Sequence, residues 1–504
     1  MKERWFNYRP ICLTFAFLLL GSLFAFFFTK QTVFVISIAV IVAVLLLILA
    51  IYKKKFRYFI VPLTAFVIGV VSFYVSVNSF NSSIEYKPTE IQVRVNSLGK
   101  PNDNYIRLQA DNCKFDGKKN NDNIYIIMYD GSGLYENIEV GSIIKFKPSG
   151  FYKNDLFSNN IPNTNMFKEN IKYTAVVNIS KVKYIKTDKT LAENIKENVK
   201  ENLSLGLTNE NVEIAYSCLF GDKELLSDNQ YSAYKLSGIA HLLAVSGLHV
   251  GIIVLVISKI LNLIKIRKWG KLMVVSIFLL CYMYICNFSI SVVRASIMAI
   301  VLLLSKILKE EYDVYNSISI AGIVVFIMNP LCVFDISFLM SFSCVLGIAM
   351  LNKPIYSVLS KTKISKKIVE SVSISLSTTL ALVIIMAFYF RTLNVISIIA
   401  NVLLIPIFTI AFIPTFVIAI LSLIVPYIAY LLYPINYIFT FINFCATLLG
   451  NLSISNFNTI EINYIAIIVY FILIVLMGRL CSAKWQYKIA ISVPTLALLV
   501  CCLL

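Results

Sequence analysis

Hydrophobic positions fall into long unbroken runs at 11–28, 33–51 and 58–78, give way to a polar stretch at roughly 80–210, and resume from 238 to the C-terminus. A bilayer-crossing helix needs roughly 20 apolar residues, so these runs predict a polytopic α-helical membrane protein with about 13 transmembrane segments. The first run is no removed signal peptide, because further runs follow it and no small-residue cleavage site closes it. In the polar stretch the period changes. Short alternating runs at Ile91–Val95, Tyr105–Leu108, Ile124–Met128 and Ile143–Phe146, separated by Asn, Asp, Gly and Lys clusters, predict a small β-barrel. Over 191–206, Leu191, Ile195, Val199 and Leu203 recur at four-residue steps, which predicts an amphipathic linker helix. The expected organisation is N-terminal transmembrane helices over 1–79, a β domain over 80–190, the linker helix over 191–215 and a second membrane domain over 216–504.

Composition agrees with a bilayer: 58% of residues are hydrophobic, 14% are charged and the mean hydropathy is +0.79. Lys and Arg mark the cytoplasmic side. Lys2, Arg4 and Arg9 precede the first run, Lys53, Lys54, Lys55 and Arg57 follow the second, and Lys265, Arg267, Lys268 and Lys271 follow a later one. Lys361, Lys363, Lys366 and Lys367, then Arg479, Lys484 and Lys488, keep this parity if 393–424, with Pro406 and Pro414, is one broken crossing. The N-terminus is then cytoplasmic and the β domain extracytoplasmic. The net charge of +18 is partly this bias and is not in itself evidence for a nucleic-acid partner. The 11 cysteines form no CxxC pair; Cys113 and Cys218 both fall outside the membrane, where they could pair.

The polar punctuation of HLLAVSGLHV at His241–Val250 holds the chain's 2 histidines. On one regular helix, residues eight apart are separated by about 12 Å of rise and about 80° of rotation, so His241 and His249 would not share a metal. Ser246 and His249 lie on one helical face at a spacing of three, and AVSG is near the Gly-x-Ser-Gly of rhomboid proteases. Ala244 stands where that motif has Gly, however, and no other histidine supplies a base from a separate helix. No catalytic site, metal or cofactor is therefore expected. Gly238, Gly247, Gly251 and Ser246 permit close helix approach or a local break, tolerated at membrane depth where backbone is buried in protein or faces water. On this reading His241, Ser246, Gly247 and His249 line a polar path. Arg294 is a rare cation inside an apolar span, which faces a partner or a hydrated cavity, or else snorkels from a helix end. In the polar stretch Tyr86, Lys87, Tyr105, Phe146 and Phe151 interleave with Arg94, Arg107, Lys145, Lys147, Tyr152 and Lys153. The last six are candidates for single-strand contact, although strands favour aromatics for packing alone.

HLLAVSGLHV closely resembles the signature of the ComEC family, bacterial inner-membrane proteins that pass incoming DNA into the cytoplasm during natural transformation. Gly221, Asp222 and Lys223 match the family's Gly-Asp loop ahead of that signature, and SVVRASIMA at 291–299 resembles its Arg-Ala helix. In NPLCVFDISFLMSFSCVLGI, Asn329, Pro330, Asp335, Phe338, Ser341 and Phe342 match a further segment, with Leu339 where Gln is usual. NVISIIANVLLIP supplies Ser397, Asn401 and Pro406 of a Ser, Asn, Pro pattern. The family carries an oligonucleotide-binding (OB-like) barrel after the third helix, and VGSIIKFKPSGF with IPNTNMFKENIKY looks like a diverged copy, Ser142 replacing an Asp and no Asn-Pro-Gly appearing. The resemblance implies an inner-membrane channel for single-stranded DNA, with His241, Ser246, Gly247, His249, Arg294, Asp335, Ser341 and Asn401 along the path. It also implies a surface DNA-receptor protein and a separate cytoplasmic helicase-type ATPase motor as partners, since the chain has no G-x-x-x-x-G-K-[S/T] loop. The chain stops at Leu504 with no histidines to spare for the metallo-β-lactamase-like domain of many relatives, so a short form without nuclease activity is expected, a separate nuclease serving that role. The alternatives are a transporter of another solute or lipid-linked precursor, and a non-pore scaffold of the uptake machinery.

Overall fold

The computed structural model describes residues 9–28, 57–81, 87–99, 105–129, 138–158, 161–394, 396–452, 456–458 and 470. The run at 33–51, Lys2, Arg4, Lys53–Lys55, Tyr86 and the C-terminal run with Arg479, Lys484 and Lys488 lie outside the described residues. The chain divides into two compact units: a sheet unit of 13–198 with 323–335, and a helical unit of 1–12, 199–322 and 336–504.

In the sheet unit, helices α1 (Pro10–Phe27) and α2 (Arg57–Asn81) cross with their backbones in contact. A Cβ at Gly21 would lie 2.1 Å from the Phe66 carbonyl oxygen and one at Gly69 2.2 Å from that of Leu18, so only glycine fits either position. The Ser22 hydroxyl donates to the Gly69 carbonyl at 3.2 Å within this crossing. The strands are β1 (Ile91–Leu98), β2 (Tyr105–Phe115), β3 (Asn123–Tyr129), β4 (Ser142–Phe146), β5 (Gly150–Lys153), β6 (Ile171–Asn178) and β7 (Val182–Thr187). Their order in the sheet is β7-β4-β1-β2-β3-β6-β5, with β3 and β6 parallel and the other pairs antiparallel. Only Lys147–Ser149 separate β4, which pairs with β1, from β5, which pairs with β6. The chain thus passes in three residues from a strand near one edge of the sheet to the strand at its opposite edge. Period-2 alternation explains the interior: β3 turns Ile124, Ile126 and Met128 inward, against Val93, Leu108, Phe115, Ile144 and Tyr173.

In the helical unit and the segments joining it, α3 (Leu191–Leu203), α4 (Asn209–Phe220), α5 (Asp228–Leu236) and α6 (Gly247–Leu263) precede the long apolar helices. The amphipathic helix expected at 191–206 is α3, which buries Val199 and Leu203. Then come α7 (Lys268–Ile285), α8 (Ile290–Leu308), α9 (Val314–Met328), α10 (Ile336–Leu359), α11 (Lys366–Phe390), α12 (Ser397–Ser422) and α13 (Tyr433–Gly450). Among the described residues eight helices are long and apolar enough to cross a membrane; α6 and α9 are apolar but shorter. Residues 393–424 were expected to form a broken crossing, yet α12 runs unbroken through Pro406 and Pro414. The Thr409 and Thr415 hydroxyls donate to the Ile405 and Ala411 carbonyls, both at 2.8 Å, giving hydroxyl partners to the helix close to each proline.

Candidate functional site

HLLAVSGLHV does not form one helix. After α5, Gly238 adopts a left-handed φ of +79°, Ala240–Leu243 make a single 3₁₀ turn, Ala244 is extended, and Ser246 opens α6. The hydrophobicity of the decapeptide is continuous, but local hydrogen bonding and close packing override its helical period. Gly238 is required twice over: its φ disfavours any side chain, and a Cβ there would lie 2.4 Å from Cβ of Ser397. The break leaves His249 buried and His241 exposed.

At the start of α6 the Leu248 N–H donates to Ser246 Oγ at 3.2 Å, and the Ser246 N–H donates to His249 Nδ1 at 3.1 Å. Ser246 Oγ itself lies 2.8 Å from Nδ1. This is a capping box in which histidine takes the place usually held by Glu or Gln. Because Nδ1 accepts from backbone, the neutral ring carries its proton on Nε2, which is buried without a hydrogen-bond partner. The ring stands edge-on to Phe412 at 4.6 Å and Phe408 at 5.2 Å. The Ser246–His249 pair thus closes a helix end.

Arg294, in the second turn of α8, is only 5% exposed. Its guanidinium turns inward rather than snorkelling. Nη1 donates to the Ser341 carbonyl, Nη2 lies 2.9 Å from where a Cβ at Gly247 would sit, and Nε has no partner. Ser341 therefore contributes its main chain to this contact. No carboxylate pairs with Arg294 among the described residues. The Gly221–Lys223 loop meets the same region: Gly221 ends α4 in a left-handed conformation, and a Cβ there would touch Val245 at 3.5 Å. The loop closes on itself, Ser217 Oγ donating to the Asp222 carbonyl at 2.6 Å and the Glu224 N–H to the Asp222 carboxylate at 3.0 Å. Lys223 Nζ lies 5.5 Å from the Tyr231 ring. On α12, Asn401 leaves its buried Oδ1 unpartnered one turn beyond Ser397, and Phe408 and Phe412 follow on the same face.

Gly221, Ser246, Gly247, His249, Arg294 and Ser341 are thus brought together. Asp335 is not among them: it is buried in the sheet unit, where Thr164 Oγ1 donates to its carboxylate at 3.2 Å. Three contributors were missed in the sequence. Phe408 and Phe412 were indistinguishable there from other apolar residues of a membrane helix. Asn394, just ahead of α12, accepts from the Ser397 N–H at 3.0 Å and donates to the Leu236 carbonyl at the end of α5.

Among the candidates on the sheet, Arg94 is withdrawn from the surface. At 5% exposure it pairs with Asp111 at 3.2 Å and with Glu193, and its Nε donates to the Asp188 carbonyl at 2.8 Å. Burial works against its charge, but Glu193 and Asp111 outweigh that and raise its pKa, while burial raises the pKa of Asp111. Lys145 pairs with Glu90 at 2.8 Å, and Lys153 donates to the Asn81 carbonyl at 2.8 Å. Arg107, Lys147 and Tyr152 are exposed, Arg107 lying 5.7 Å from the Tyr125 ring centre. Cys113 and Cys218 are both buried free thiols.

A family model described as competence protein matches residues 218–484, more than half of the chain. ComE operon protein 3 of Bacillus subtilis (strain 168) is 27% identical over 217 residues, which cover 43% of this chain and 27% of that protein. The match therefore takes in about a quarter of that relative's length. No solved structure matches the chain. The matched residues contain the broken decapeptide, Arg294, Ser341 and Asn401, and the chain belongs to the competence protein family, the ComEC family that its His241–Val250 segment resembles.

Proposed function

We propose that this competence-family protein is the inner-membrane channel through which single-stranded DNA enters the cytoplasm during natural transformation. One observation carries the reading: inside an apolar helical unit, a broken segment holds the start of α6 against a buried arginine that has no acidic partner among the described residues. Membrane interiors tolerate irregular backbone and lone charge where a polar route passes, which is what a polyanion requires. The outer β domain receives the strand. Its strand order, with β3 and β6 parallel and only three residues joining β4 to the far-edge strand β5, supports an OB-like barrel, and Arg107, Lys147 and Tyr152 offer charge and one aromatic face to a single strand. A cytoplasmic helicase-type ATPase pulls the strand, a surface receptor delivers it, and a separate nuclease removes the other strand.

The test measures DNase-resistant internalised DNA and surface-bound duplex in a deletion strain, under conditions where the parent takes up DNA. The expected result is persistent bound DNA with internalisation lost and restored by complementation. Unchanged internalisation overturns the reading.

A further inference from the structure

We infer that the N-terminus of α6 and the Arg294 guanidinium together form a phosphate-binding site, occupied in turn by the phosphodiesters of the passing strand. This deepens the channel reading and rests on it.

The N-terminus of a 17-residue helix carries partial positive charge; the Ser246 hydroxyl takes the Leu248 N–H, while Gly247 at the first position puts no side chain over its own N–H. The independent observation is Arg294. Its side chain is buried, its Nη1 is engaged by the Ser341 carbonyl, its Nη2 faces the Gly247 Cα, and its Nε is unpartnered. A guanidinium in a low-dielectric interior is costly to keep without an anion, and one carbonyl does not neutralise it. The planar fork matches two phosphate oxygens, and a third oxygen finds the helix dipole. One such site in a narrow route holds a single phosphate and releases it to the next. Such a site recognises the backbone and is blind to base identity.

The experiment follows amide hydrogen exchange over residues 237–255 of the full chain in zwitterionic nanodiscs, with a short oligo-dT as probe. Binding is expected to slow exchange of the Gly247 amide, which the Ser246 cap leaves open, by about tenfold, as charge-assisted hydrogen bonds do. An oligo-dT with a neutral methylphosphonate backbone should give no slowing, and R294Q should abolish it. R294K, which keeps the charge but loses the fork, should retain part of it, and this second variant covers the case in which R294Q does not fold. Slowing that persists in R294Q, or that the neutral backbone reproduces, overturns the site. Slowing by inorganic phosphate or by anionic-lipid nanodiscs, with none by oligo-dT, overturns the strand as its ligand. Failure of the site and failure of the channel are separable. A deletion strain with normal internalisation sinks the channel whatever the exchange data show, whereas normal uptake by R294Q beside a defective deletion strain sinks the site alone.

Discussion

Arg94 and Arg294 are equally buried, each 5% exposed, and their surroundings could hardly differ more. Arg94 is saturated by two carboxylates and a carbonyl, all from the sheet unit. Arg294 has one carbonyl, an unpartnered Nε and a bare glycine beside it. The first arrangement ties the start of α3 to β1 and β2, so its logic is structural. The second leaves hydrogen-bonding capacity unused at a cost to the fold, which selection retains where something else uses that capacity. Burial of a charge therefore identifies neither role; the completeness of its partners does.

Removing each arginine tests that contrast. R94A leaves Asp111 and Glu193 without their cation and should destabilise the sheet unit by about 3–5 kcal/mol. Accelerated hydrogen exchange across β1, β2 and the first turn of α3 in the full chain would measure it. R294Q removes a charge that no acid balances, so it should change stability by no more than about 1 kcal/mol while lowering uptake at least tenfold. Thermal unfolding in nanodiscs beside internalised DNA per cell gives both numbers. If R294Q unfolds the helical unit as severely as R94A opens the sheet, the two arginines do the same work and the contrast collapses.

The difference was only partly legible in the sequence. Apolar run lengths foretold long apolar helices, eight of them among the described residues where about 13 crossings were expected, and the alternation at 91–95, 105–108, 124–128 and 143–146 foretold four strands, because these periods reflect local burial. Arg94 and Arg294 both read as available cations, since partners such as Glu193 and Ser341 lie 99 and 47 residues away. The break at Gly238–Ser246 was readable as a possibility from its small residues; its form depends on Ser397, which the chain supplies much later. Asp335 matched a motif segment that begins at Asn329, yet its partner Thr164 belongs to the polar stretch. Even the tight turn at Asp116 and Gly117, with φ of +49° and +79°, had a local signal in its Asp-Gly pair that went unread.

The capping box gives a finer division between holding and handling. S246A removes the side-chain acceptor for the Leu248 N–H and should cost about 1 kcal/mol. H249Q keeps a residue suited to the box, so α6 should start as before, with stability within about 0.5 kcal/mol of the parent. It removes the imidazole packed edge-on against Phe408 and Phe412 and should lower uptake. Normal uptake in H249Q would assign His249 to helix capping alone, leaving Arg294 as the functional member of the pair.

The smallest effect expected lies at Asp116, where the sheet unit's completeness can be titrated. The Asp116 pKa is held below the ordinary aspartate value, first by the Thr89 hydroxyl at 2.6 Å and then by the Glu90 and Thr89 N–H groups at 2.9 and 3.0 Å. A carboxylate with a lowered folded pKa stabilises fully above its unfolded value, about 3.9, and loses that contribution as pH falls through the folded value. Asp111 has the opposite sign: burial raises its pKa, so its contribution is greatest below the unfolded value and declines as pH rises through the folded one. D116N keeps a residue that tolerates the positive φ, so its effect should be electrostatic rather than conformational. Exchange over residues 87–119 of the full chain should be faster in D116N than in the parent at pH 7, and the gap should close only as pH falls below the unfolded value of about 3.9 and through the lower folded one. A gap that stays constant across that range would mean that Asp116 holds Thr89 and Glu90 by shape rather than charge. It would also leave Arg94, with its two acids, as the part of the sheet unit in which paired charge matters.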